Sequence, residues 1–158
     1  MLDTFQGLPV HTLIVHATVV VVPTAALMVA LASIYPRFRI WIGPGPAIAS
    51  VAAVILDPLS TQSGHKLYDR IRRLGTTPDL MKKIDHHQHL AGTLKYLVVP
   101  LALVAIAGYW VHRRGEPSRT VVVVLAVLSV GLGAATMVDV ALVGHAGAVA
   151  TWSGYVTK

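Results

Sequence analysis

Four long apolar stretches constrain this chain more than any other feature of its sequence. They run over residues 8–35, 40–59, 90–111 and 120–143, and each contains almost no charged side chain. A helix needs ~20 residues to cross a hydrocarbon core of ~30 Å, and all four stretches reach that length. Their continuous apolar character does not fit the short alternating segments of a β-barrel. The sequence therefore predicts an all-α integral membrane four-helix bundle, with residues 1–158 as a single transmembrane domain.

The composition agrees with a membrane protein and excludes several kinds of site. Charged residues make up 13% of the chain, whereas a soluble domain carries about 25%. The chain has no cysteine, which excludes disulfides, thiolate metal sites and iron–sulfur ligation. A net charge of +6 in a membrane protein favours contact with anionic lipid over contact with nucleic acid. No Gly-rich phosphate loop and no nucleophile with an evident base is present, so the sequence leaves open whether the protein is an enzyme.

The connections between the stretches predict how the chain crosses the membrane. Residues 35–39 and 113–119 are short and contain arginines, so they make neighbouring helices antiparallel. These arginines, and the absence of any base before the first stretch, place both termini outside the cytoplasm. We expect this orientation in a bacterial inner membrane. The basic residues of the third connection, 60–89, favour the reverse orientation, but the flanks of the first and last stretches are the clearer signal.

The connection over residues 60–89 predicts helices outside the hydrocarbon core. Four apolar side chains recur at helical spacing beside its basic residues, which favours an amphipathic helix lying along the membrane surface. A solvated basic loop is the alternative. Glycine and proline between Gly75 and Asp79 should break this helix, and Thr77 should cap a second short one. The apolar residues of the amphipathic pattern are Leu67, Tyr68, Ile71 and Leu74.

The two halves of the chain resemble each other. The first and third stretches each carry a proline after a run of valines, Pro23 and Pro100. The second and fourth end with an aspartate followed by Gly-His, over residues 57–65 and 139–145. This pattern favours a parallel duplication of a helical hairpin about an axis along the membrane normal. Chance similarity between apolar helices is the alternative.

Seven of the eight histidines fall at one membrane face under this topology, and His112 falls at the other. Histidine is costly in hydrocarbon, so such a cluster favours a site with bound partners. Neutral imidazole is an axial ligand of haem, and histidines from facing helices can hold a haem inside a bundle. His16 lies about one turn inside the first stretch, and His145 has small neighbours that leave room for a planar group. The predicted haem b ligands are His16, His89 and His145, with His65 as the next candidate.

Two aspartates favour a different chemistry at the same face. Asp57 and Asp139 lie inside apolar helices, where a carboxylate is a functional-site hypothesis by default. With histidine they suit a divalent metal such as zinc, manganese or iron, and they could also relay protons. The structural alternative has Asp57 bonding locally and Asp139 paired with Lys95 or a histidine. The candidate metal ligands are His16, His89, His145, Asp57 and Asp139.

Short motifs at both ends resemble a known family. Residues 7–16, Gly-Leu-Pro-Val-His-Thr-Leu-Ile-Val-His, resemble the His-Pro-Leu-Leu-Val-His-Phe-Pro opening of the membrane proteins called domain of unknown function 2231. Residues 143–151 resemble their closing His-x-Gly-Gly-x-Leu-Val-Tyr segment, and His89 also fits. The departures are Thr12, Ala17 and Ala148, which affect packing around the histidines. The resemblance implies no assigned activity, but related domains occur fused to Rieske-type iron–sulfur modules, which implies membrane electron transfer.

Three classes of function follow from these residues. The first expectation is an electron-transfer protein with haem b, exchanging electrons with a quinone or with a redox partner protein. The second is a protein that binds a divalent metal through histidine and aspartate. The third is an accessory subunit of a larger membrane complex, without chemistry of its own.

Overall fold

The computed structural model describes residues 4–5, 7–115 and 117–156, which form six helices and one small strand pair. β1 (Thr4–Phe5) and β2 (Leu8–Pro9) pair antiparallel ahead of the first helix. The helices are α1 (Val10–Ile34), α2 (Pro36–Ile42), α3 (Gly45–Leu74), α4 (Pro78–Ala91), α5 (Lys95–Arg113) and α6 (Arg119–Val156). The predicted all-α class is confirmed, because the strands are only two residues long.

The long helices form a four-helix membrane bundle. α1 packs against both α3 and α6, and α5 packs against the same two helices, so α1 and α5 lie diagonally across the bundle. Three helical segments are long and apolar enough to cross a membrane, namely α1, residues 78–113 and residues 119–152. The bent pair of α2 and α3 is a fourth candidate crossing. These spans imply a lipid bilayer environment, which the exposed valines and leucines of the outer surface fit.

The bundle core is narrow because small residues line it. Ala25, Ala26 and Ala53 are fully buried, together with Val22 and Leu101. Small residues let helices approach closely in a membrane, where packing rather than the hydrophobic effect holds them together.

The start of the second span differs from the prediction. Residues 36–42 form the separate helix α2, and α3 continues at 70° to it. Gly43 makes the break, since its φ of 52° is a conformation that favours glycine, and Pro44 follows it. The segment 35–39 is therefore not a simple tight turn, and residues 40–42 lie outside the straight part of the span.

The helix predicted around residues 67–74 is present, but it is the last part of α3 and not an element of its own. α3 continues without a break from Gly45 to Leu74 and accommodates Pro58 and Gly64. Gly75 has a φ of 74° and ends the helix. The predicted cap is confirmed: the Thr77 hydroxyl accepts a hydrogen bond from the Leu80 amide at 3.4 Å and starts α4.

The last helix is also longer than predicted. α6 runs to Val156 rather than ending near residue 143, so His145 lies within the helix and not at its close.

We predict that the close approach of α6 to α1 depends on Gly133. A Cβ there would lie 3.1 Å from the Ala26 carbonyl oxygen, whereas a Cβ at Gly131 would meet nothing within 4 Å. Gly133→Leu should lower the free energy of unfolding by about 1–3 kcal/mol through overpacking. Gly131→Leu is the matched control and should unfold like the wild type. Thermal unfolding in detergent compares the two, and equal losses of stability would contradict this packing.

Candidate functional site

Two histidines continue the buried faces of diagonally opposed helices. On α1, Thr18 and Val22 are buried, and His11 lies seven positions before Thr18. In the second half of the chain, α4 leads into α5 through a three-residue connection. Leu94 in this connection is buried, and His87 on α4 lies seven positions before it. Seven residues are close to two helical turns, so each histidine lies on the buried face of its own helix. We call these two residues the inner histidine pair, and both side chains are partly buried.

The hydrogen bonds of His11 fix its tautomer. Its Nδ1 lies 3.1 Å from the Ser63 hydroxyl oxygen, and that hydroxyl donates to the Ser60 carbonyl at 2.9 Å. Since the hydroxyl has only one proton to donate, it must accept from Nδ1–H of His11. The lone pair of the neutral imidazole is then on Nε2.

His87 reaches the same state with a different partner. Its Nδ1 lies 3.0 Å from the backbone carbonyl oxygen of Val143 on α6. A carbonyl oxygen only accepts, so Nδ1 of His87 carries the proton and Nε2 carries the lone pair of the neutral ring. Metal-ligating histidines typically show this pattern, in which one ring nitrogen donates to a carbonyl or similar acceptor and the other is left to bind.

A glycine packs against each ring of the pair. A Cβ at Gly64 on α3 would lie 3.1 Å from Cε1 of His11. A Cβ at Gly147 on α6 would lie 3.1 Å from Cε1 of His87. His11 and His87 are also close enough to interact electrostatically. Each histidine is therefore supported by the neighbouring helix of its own half, as a duplicated hairpin would arrange it.

A second polar group lies deeper in the bundle. Asp57 is 8% exposed and lies within electrostatic range of both Lys95 and Asp139. The Thr93 hydroxyl lies 2.7 Å from Oδ1 of Asp139 and 2.6 Å from the Leu90 carbonyl oxygen, so its one proton is shared between two acceptors. The other Asp139 oxygen, Oδ2, is buried without a partner among the described residues. Asp57 precedes Ser63 by six positions, which places it about 9 Å deeper along α3. We call Asp57, Asp139 and Lys95 the carboxylate cluster.

The four histidines predicted as haem ligands occupy other positions. His16, His65, His89 and His145 are all exposed on the bundle exterior. Nδ1 of His16 lies 2.6 Å from the carbonyl oxygen of Thr12 on the preceding turn of its own helix. Gly147, one of the small neighbours of His145 in the sequence, packs against His87 instead.

The candidate metal ligands are not assembled into one site. Among residues 4–5, 7–115 and 117–156, no three His, Asp or Glu side chains come together closely enough to hold a metal ion. Asp57 and Asp139 do approach each other, but the exposed His16, His89 and His145 do not join them. The predicted pairing of Asp139 with Lys95 or a histidine is replaced by its bond to Thr93.

A small basic pocket opens beside His11. It has a volume of about 280 Å³ and is lined by His11, Ser63, Lys66 and Arg70, with Pro9, Leu67 and Arg73. No acidic side chain is among these lining residues, so the pocket carries positive potential next to the inner histidine pair.

The comparisons with known proteins identify a family and no characterised relative. The family described as predicted membrane protein (DUF2231) matches residues 7–158. No curated protein and no solved structure matches the chain.

We predict that the Thr93 hydroxyl stabilises the partly buried Asp139 carboxylate. Thr93→Val removes this donor while keeping the shape, and should lower the free energy of unfolding by about 0.5–1.5 kcal/mol because the carboxylate loses a shared hydrogen bond. The exposed Thr120 provides a matched control, Thr120→Val, with little expected effect. Adding Asp139→Asn to Thr93→Val should recover part of the loss, since the charge is gone. Thermal unfolding compares the wild type with these three variants. A double variant that is less stable than Thr93→Val alone would argue against the pairing.

Proposed function

The chain belongs to the DUF2231 family of predicted membrane proteins, and we propose that it is a membrane electron-transfer protein holding haem b between His11 and His87. The observation that carries this proposal is that both histidines of the inner histidine pair make the same kind of hydrogen bond. Both side chains are partly buried, and each donates Nδ1–H to a neighbouring helix, which leaves the Nε2 lone pair of each neutral ring to bind the iron. The proposal moves the ligands from the exposed His16, His89, His145 and His65 to this pair.

The donor set suits haem better than a bare divalent metal. A six-coordinate haem takes two axial ligands from the protein, whereas zinc takes three or four. Two histidines are available here, and no larger group of ligands is assembled among the described residues. The basic pocket beside His11 supports the same reading, because Lys66 and Arg70 complement the carboxylates that a haem carries.

The chain's own residues would set the properties of such a site. Haem supplies one-electron redox chemistry when it is bound. The Ser63 hydroxyl and the Val143 carbonyl hold the two rings in orientation and increase the basicity of Nε2. Gly64 and Gly147 leave space for the rings, so a side chain at either position would displace its histidine.

We predict that the purified protein shows a Soret band and that the inner histidine pair is required for it. His11→Ala and His87→Ala should each abolish the band, because each removes one axial ligand. His16→Ala and His145→Ala are the matched controls and should keep it, since both side chains are exposed. The reduced-minus-oxidised absorbance spectrum measures this in protein from haem-replete cells. A band lost in the controls but kept in His11→Ala would contradict the assignment.

The carboxylate cluster supports a second candidate function, divalent-cation binding. The buried Asp139 Oδ2 has no partner among the described residues, and a cation beside Asp57 would satisfy it. In that case the protein is colourless and contains metal, and Asp139→Asn lowers the metal content measured by elemental analysis. Colourless, metal-free protein from cells supplied with both haem and metals would leave the accessory-subunit function.

We infer that the protein lies in a bacterial inner membrane with both termini on the non-cytoplasmic side. The arginines of the two short connections support this orientation, and the inner histidine pair would then lie on the outer side, next to a quinone or a redox partner protein.

The absence of cysteine from the chain makes the orientation directly testable. We predict that Thr4→Cys reacts with an impermeant maleimide in intact cells, whereas Ser118→Cys reacts only after the membrane is opened. The reverse pattern would show the opposite orientation, with both termini in the cytoplasm. Labelling of both cysteine variants from outside would mean that the helices cross the membrane differently.

A further inference from the structure

A larger cavity lies at the end of the bundle opposite the inner histidine pair. Its volume is about 660 Å³, within the range of about 300–1,000 Å³ typical of ligand cavities. The last turns of α1 and α5 form it together with the first turns of α3 and α6, and α2 borders it. Val29, Ala105 and Leu125 are among the residues of its apolar wall.

The polar side of this cavity is basic. Arg39 and Arg113 line it, and no acidic side chain is among its described lining residues. Arg39 donates to the Ala32 carbonyl at 3.4 Å, and Arg113 donates to the Tyr109 hydroxyl at 2.8 Å. A guanidinium has five N–H donors, so each of these bonds occupies only a fraction of its capacity. An anionic group would complement this rim.

His112 contributes a buried polar atom to the same cavity. Its Nδ1 lies 2.8 Å from the Gly108 carbonyl oxygen, so Nδ1 carries a proton. Its Nε2 is buried and has no hydrogen-bond partner among the described residues. Buried polar atoms are nearly always satisfied in folded proteins, which points to a bound group in front of Nε2. Both ring nitrogens of an imidazolium donate, so this form of the ring can bond an anionic oxygen through Nε2–H.

We propose that this cavity binds one anionic amphiphile per chain. Its acyl chain lies along the apolar wall, and its carboxylate or phosphate meets Arg39, Arg113 and His112. A free fatty acid and an anionic phospholipid share this chemistry. A neutral quinone headgroup would leave two guanidinium groups without a countercharge, so the basic rim favours the anion. The proposal is independent of haem binding, because the cavity and the inner histidine pair lie at opposite ends of the bundle.

Native mass spectrometry of the full chain in a non-ionic detergent tests the ligand class. The probes are oleate, dioleoyl phosphatidylglycerol, dioleoyl phosphatidylcholine and ubiquinone. We expect one oleate or one phosphatidylglycerol per chain, and at least about tenfold weaker binding of phosphatidylcholine, which has the same chains and no net charge. Retention of oleate alone identifies a fatty acid, and retention of phosphatidylglycerol alone identifies a phospholipid. Equal binding of phosphatidylcholine, or preferred binding of ubiquinone, overturns the proposal.

Substitutions locate the binding in the cavity. Gly108 lines it, and a Cβ there meets nothing within 4 Å, so Gly108→Leu fills the cavity without a clash at the backbone. We expect Gly108→Leu to weaken anion binding at least about tenfold and Gly131→Leu, on an exposed face outside the cavity, to leave it unchanged. Arg39→Gln tests the rim without filling the cavity, and should weaken binding of the anionic probes selectively. Wild-type binding in both Gly108→Leu and Arg39→Gln overturns the assignment.

Discussion

The close packing of small residues along the bundle axis is the constraint on which the rest of the structure depends. Alanines at positions 25, 26 and 53 bring the helices so close that each has one narrow inward face. A polar side chain can then reach the interior only from that face. Asp57 lies on it, and so does Gly64 seven positions later, which allows the His11 ring to pack against α3.

The apolar stretches predicted the membrane bundle, but not where each helix ends. Hydropathy reports which part of a helix lies in lipid, whereas termination is a local property of the backbone. α3 therefore continues past residue 59, where the second apolar stretch ends. It runs through the basic segment that follows until Gly75 adopts a positive φ. The 70° bend before α3 was likewise not predictable from apolarity, because Gly43 and Pro44 lie beside an apolar run and act through backbone conformation.

The sequence predicted at which end of the bundle the candidate site lies, but not which histidines lie on the buried helix faces there. The clustering of histidines at one end of the spans was readable, yet His16 was preferred to His11 because it lies deeper. The two are five residues apart, so they point about 140° away from each other around the helix and cannot both face the axis. The seven-residue spacing to the buried Thr18 was the signal that selects His11. The contact between Thr93 and Asp139 had no such signal, since it joins the α4–α5 connection to α6, which is distant in sequence.

The central claim is that His11 and His87 together bind one haem iron, and the spin state of that iron tests it most directly. Electron paramagnetic resonance of the oxidised, haem-containing protein should give a low-spin ferric signal, because two imidazole ligands impose a strong field. In His87→Ala supplied with haem, the loss of this ligand should leave no bound haem and therefore no haem signal. A high-spin signal in the wild type, or a low-spin signal that survives in His87→Ala, would contradict the account.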